Sequence, residues 1–159
     1  MLNTLLRVSL LLALPLSATA QVCPDAVYDS NTVGFKDVGG ATIGKVDGRT
    51  YGIQHLCNGT VHKLLLQVNV ASPTADHPQW QTLDTLVIPV GSKRFEIIFG
   101  EDSYSRLNGD LDPELVSLAR VTDKEFWNSV KVWRANRTTG KFQLLKKVRT
   151  TCENPGYGV

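Results

Sequence analysis

The sequence predicts an α+β fold: an antiparallel β-meander sheet, closed as a sandwich or open barrel, with one helix from the C-terminal half packed on it and a last strand behind. Three observations lead there. Asx-Gly and Gly-Ser dipeptides punctuate short alternating apolar runs through the first hundred residues, which is hairpin chemistry. A capping pattern at Thr122 then opens a stretch with apolar residues at helical spacing. An alternating run, "KFQLLKKVRTT", follows it.

In chain order, the first element is a targeting segment. "MLNTLLRVSLLLALPLSATA" has one cation, Arg7, then an apolar run to Leu16 and the small-residue ending Ala18-Thr19-Ala20, the signature of a secretory signal peptide. The run is shorter than the roughly 20 residues a membrane span needs. Residues 1–20 are therefore expected to be removed, and residues 21–159 to form a single secreted or periplasmic β-rich domain with no membrane span. A lipid anchor would require a small residue before the first cysteine, where Val22 stands. The three cysteines, Cys23, Cys57 and Cys152, predict one disulfide and one leftover thiol in an oxidising compartment. Loop closure mildly favours Cys23 with Cys57, and the other two pairings stay open.

The hairpins follow. "TIGKVDGRTYGI" puts Asp47-Gly48 between two runs, and "IQHLCNGTVHKLLLQV" does the same with Asn58-Gly59. Both suit the type I′ turn, whose two central residues take positive φ. "LDTLVIPVGSKRFEIIF" reads as a third hairpin about Gly91-Ser92, with Leu86, Ile88, Phe95 and Ile97 on one face and Pro89 opposite Arg94. "LVSLARV" is a strand. Thr122 and Glu125 then form a capping box, and Phe126, Val130 and Trp133 fall on one stripe, so a helix is expected over 123–136. The competing reading is a hairpin of "VKVWR" against "KFQLL", because Val130 and Val132 also alternate.

Charge is unevenly spread. Residues 76–125 hold five cations and ten anions, whereas residues 126–159 hold seven cations and one anion. The basic end interleaves Lys131, Arg134, Arg137, Lys146 and Lys147 with tryptophan and phenylalanine, a candidate surface for an anionic envelope polymer or a protein partner. Nucleic acid is not expected for an exported chain. Each of these residues also has an ordinary role on a solvated face, and acidic and basic segments lying side by side would neutralise each other.

A second candidate site depends on register. If Asn58 and Gly59 are the loop, His55 faces His62 with Cβ atoms about 5 Å apart, and Cys57 lies two residues along. Two imidazoles and a thiolate are ligands that zinc or copper accepts, although the same face carries Tyr51, Ile53 and Leu64 and so reads as core. Neither ion is required by anything else in the chain. "VGGATIG" lacks a following helix for anion binding, "GDLDPE" lacks calcium-loop spacing, and no nucleophile or metalloprotease motif is present. No catalytic residue is assigned. Asn58-Gly59-Thr60 and Asn136-Arg137-Thr138 are glycosylation sequons. The function expected is that of a small exported binding or interaction protein; the alternatives are a metal-binding domain using His55 and His62, or an enzyme without a recognisable motif.

Overall fold

A computed structural model describes Cys23 and residues 34–59, 61–71, 76–90, 92–100 and 105–158. The expected leader lies outside the described residues. Among them the chain forms strands and no helix. They are β1 (Lys36–Val46), β2 (Arg49–Asn58), β3 (Val61–Asn69), β4 (Trp80–Pro89), β5 (Phe95–Phe99), β6 (Arg106–Leu107), β7 (Asp110–Leu111), β8 (Leu115–Arg120), β9 (Phe126–Asn136), β10 (Lys141–Leu145) and β11 (Thr150–Glu153).

Two antiparallel sheets result. The first is the meander β1-β2-β3-β4, and the second runs β5-β8-β9-β11-β6-β7, with β10 also paired to β9. The meander follows from local sequence. Val46 pairs with Arg49, leaving Asp47 and Gly48 as a two-residue loop with φ of 48° and 76°, the positive values the type I′ turn requires. β3 alternates buried and half-buried along its whole length, the mark of a strand with one face on a core. Ile43, Ile53, Leu64, Leu66 and Ile88 from the first sheet meet Val116 and Ala135 from the second in one core. Phe95, Ile97, Phe99, Trp133 and Phe142 pack around it. A smaller cluster, Ile98, Ala119, Trp127 and Cys152, is also buried.

The expected helix is absent, and the α+β class is corrected to an all-β arrangement of two sheets. Residues 126–136 are β9, and β10 pairs with it from Lys141↔Asn136 to Leu145↔Val132, which is the competing hairpin. Two physical reasons explain the error. The Thr122 hydroxyl accepts the Lys124 N–H at 3.4 Å, a bond two residues along that belongs to a turn and not to a helix cap. The apolar spacing of Phe126, Val130 and Trp133 does not mark one buried face: Leu118 pairs with Lys131 and Ala119 with Ser129, leaving Val130 over at a bulge. A bulge reverses the face presented by the residues that follow it, so inward positions lose their period of two. Phe126 and Val130, expected inside, are 41% and 45% exposed, whereas Trp127 is 4% exposed.

The third hairpin is also corrected. β4 pairs with β3, and β5 pairs with β8, so the chain crosses between sheets after Pro89. Leu86, Ile88, Phe95 and Ile97 do line one core, but from opposite layers. An apolar face shows that a strand borders a core; it does not show which sheet holds the strand.

Candidate functional site

The β2–β3 hairpin closes one step later than the dipeptide suggests. Asn58 pairs with Val61, Cys57 with His62, and His55 with Leu64. Gly59 takes positive φ, 60°, whereas Asn58 ends the strand. His55 and His62 are thus diagonal neighbours, not direct partners. Because the difference is two residues, the face is conserved, and the rings still meet, with His55 Nε2 and His62 Nδ1 2.8 Å apart. His55 also sets its ring edge-on to Phe99 of the second sheet at 5.6 Å.

Cys57 forms a disulfide with Cys23, and Cys152 is a buried free thiol. The disulfide is consistent with an extracellular or periplasmic protein. It also removes the Cys57 thiolate from the ligand set considered above. His62 Nε2 stands 3.9 Å from the Cys57 sulfur, which has no hydrogen to give. Across the 2.8 Å contact one ring donates and the other accepts, the direction following the tautomer. Burial is the main force on both rings: it presses the His55 pKa down from 6.5 to about 4, helped by His62 and opposed by Asp37, and it lowers His62 as well. The pair is neutral at pH 7, its two nitrogens bonded directly to each other. Among the described residues no group of three or more His, Cys, Asp or Glu side chains is placed to hold a metal ion.

The basic segment is divided by the fold. Arg134 pairs with Asp112, and Arg137 Nε donates to Glu114 Oε1 at 2.7 Å. Arg137 Nη1 also donates to the Lys45 carbonyl of β1 at 3.3 Å, bridging the sheets. Gly44 makes room for it, since a Cβ there would come within 2.5 Å of Arg137 Nη1. The carboxylates of "GDLDPE" are thus largely partners of the arginines. Lys131, Lys146 and Lys147 remain exposed. Of the sequon asparagines, Asn58 is exposed, and Asn136 accepts the Thr139 N–H.

A site that sequence reasoning missed lies on the first sheet. A groove of about 380 Å³ is lined by Asp37, Gly39, Gly40, Gly52, Gln54, Gln67 and Trp80, among others, a size within the range of small-ligand sites. Gly39, Gly40 and Gly52 line it beside Ala41, Thr42 and Ile53, with open space at the Cβ position of Gly39 alone among the three glycines, and β1 bulges between Asp37 and Gly39. Gly40 is required sterically, because a Cβ would lie 2.6 Å from the Ile53 carbonyl oxygen. The wall is Trp80, 40% exposed, whose six-membered ring reaches over Gly52. Gln67 Nε2 donates to Gln54 Oε1 at 3.3 Å and to Thr82 Oγ1 at 3.4 Å. Gln54 Nε2 donates to Asp37 Oδ2 at 2.6 Å, and Asp37 Oδ1 accepts the Gly39 N–H at 2.9 Å. The available signal was polar residues at outward strand positions beside clustered glycines. In sequence, "VGGATIG" reads only as a phosphate loop that lacks its helix.

A larger depression, about 710 Å³, lies at the β1–β2 turn among Lys45, Asp47, Arg49, Asp76 and His77. Among the described residues no helix is long and apolar enough to cross a membrane. No protein-family model, curated protein or solved structure matches the chain.

Proposed function

We propose that this chain is an exported binding domain, that residues 21–159 are its single domain, and that it binds through the outer face of the first sheet. The observation that carries the reading is the groove beside Trp80: a large apolar ring left exposed next to polar side chains already tied to one another. Exposed aromatic surface beside ordered polar groups is the composition of a recognition surface. The basic segment supports binding less well, because Arg134 and Arg137 are committed to Asp112 and Glu114.

The test is retention of the purified protein on an insoluble envelope or extracellular-matrix fraction. Wild type and a Lys131→Gln, Lys146→Gln, Lys147→Gln variant are expected to be retained alike, and Trp80→Ala to be released. Loss in the lysine variant alone would move the binding surface to the basic segment and identify an anionic polymer. Equal retention of all three proteins would remove the sheet face as the site.

A further inference from the structure

We infer that the groove on the outer face of the first sheet binds an extended neutral saccharide chain, with Trp80 as the stacking surface and Asp37, Gln54 and Gln67 as the hydroxyl-reading groups. This rests on the reading of that face as the binding surface and adds the class of ligand.

Charge is the first argument. The groove lining contains one carboxylate, Asp37, two amides and no lysine or arginine, so an anionic polymer would meet a like charge and no counter-charge. The second is hydrogen-bond capacity. Gln54 Nε2 spends one of its two hydrogens on Asp37, while both hydrogens of Gln67 Nε2 are used, on Gln54 and Thr82. One N–H of Gln54, the carbonyl oxygen of Gln67 and the remaining lone pairs of Asp37 are left for a ligand. A sugar hydroxyl both donates and accepts, so it matches a surface that presents both functions in a fixed order. The relay fixes the amides before a ligand arrives, which lowers the entropy lost on binding.

The third argument is shape. A pyranose ring has an apolar C–H face as well as its hydroxyl rim. The exposed Trp80 indole offers the flat apolar partner for that face, and Gly39, with open space where a Cβ would stand, leaves room in the same groove. The lining runs from Asp37 of β1 across β2 and β3 to Trp80 of β4, so a ligand lying in it crosses all four strands of the sheet. An extended peptide is the other slender ligand of this size. Its side chains project alternately and would need separate pockets, whereas these residues line a single groove.

The test uses the mature protein and named probes. Affinity electrophoresis is run through gels containing soluble β-glucan, xylan, glycol chitin or starch. Tryptophan emission is then followed during titration with the corresponding hexaoses and with a high-mannose glycopeptide. The expected result is retardation by at least one neutral glycan and a blue shift on titration. Trp80→Ala is expected to weaken binding at least tenfold, and Gln67→Ala about fivefold, with both variants still unfolding in a cooperative transition. Response to the glycopeptide but not to the polysaccharides would assign a protein-borne glycan; the reverse would assign a structural polysaccharide. Absence of binding to every neutral glycan would overturn the inference, as would selective binding of heparin or of members of a decapeptide library. If Trp80 governs envelope retention while no glycan binds, the binding face stands and the saccharide assignment falls.

Discussion

At the scale of single residues, the His55–His62 pair has a consequence for stability. His55 titrates near 4 in the folded chain, against an ordinary value of 6.5, and His62 is lowered as well. A depressed folded pKa means that stability is fully present above the unfolded value and is lost as pH falls toward the folded one. For His55 alone the loss between pH 8 and pH 5 is about 2 kcal/mol. Urea unfolding at the two pH values checks this, and a His55→Phe, His62→Leu variant should show a much flatter dependence. An equal decline in both proteins would place the acid sensitivity elsewhere. Residue types legible in the sequence put these histidines and Cys57 on one face. The exact register was not legible, because Asn58 and Gly59 satisfy a turn dipeptide whether the loop begins at 58 or at 59; the backbone places positive φ at Gly59.

At the scale of elements, β9 shows how local signals and packing compete. Trp, Val and Phe favour a strand, while the Thr122 pattern and the apolar spacing favour a helix. Pairing with β8, β10 and β11 decides for the strand. Its anchor is Trp127, buried with Ile98, Ala119 and Cys152, its Nε1–H donated to the Thr122 carbonyl at 2.8 Å. Trp127→Ala is expected to cost about 3–5 kcal/mol, the range for emptying a buried aromatic site. Phe126→Ala and Val130→Ala are expected to cost about 1 kcal/mol or less, as exposed positions do. Denaturant midpoints of the three variants check the order. A helix would reverse it, with Phe126 and Val130 the costly sites.

At the scale of the whole molecule, the first sheet is tied to Cys23, ahead of β1 in the chain, by the Cys23–Cys57 disulfide, across a sequence separation of 34. Closing a loop of that length restricts the unfolded chain by about 3–4 kcal/mol on the chain-entropy account. A Cys23→Ala, Cys57→Ala variant should be less stable by that order in chemical denaturation. Alkylation of the denatured, unreduced wild type should label Cys152 alone; three labelled thiols would show that the bridge does not form. Charge also acts at this scale. The acidic middle and basic end of the sequence meet where Asp112 and Glu114 receive Arg134 and Arg137, so much of the apparent polarity is cancelled inside the fold.

By itself, the sequence determined what is local or periodic. The Asp47-Gly48 turn, the alternation of β3, the strand at 115–120 and the inward set Ile53, His55, Cys57 and Leu64 all follow from neighbouring residues, because turn φ values and a period of two are short-range properties. Tertiary structure alone decided what depends on partners distant in the chain. It assigned β4 and β5 to different sheets, made residues 126–136 a strand through their pairing with β8, β10 and β11, and joined Cys57 to Cys23. It also gathered Asp37, Gln54, Gln67 and Trp80 into one groove. Each of these four comes from a different strand, and they line one groove only when the strands are laid side by side.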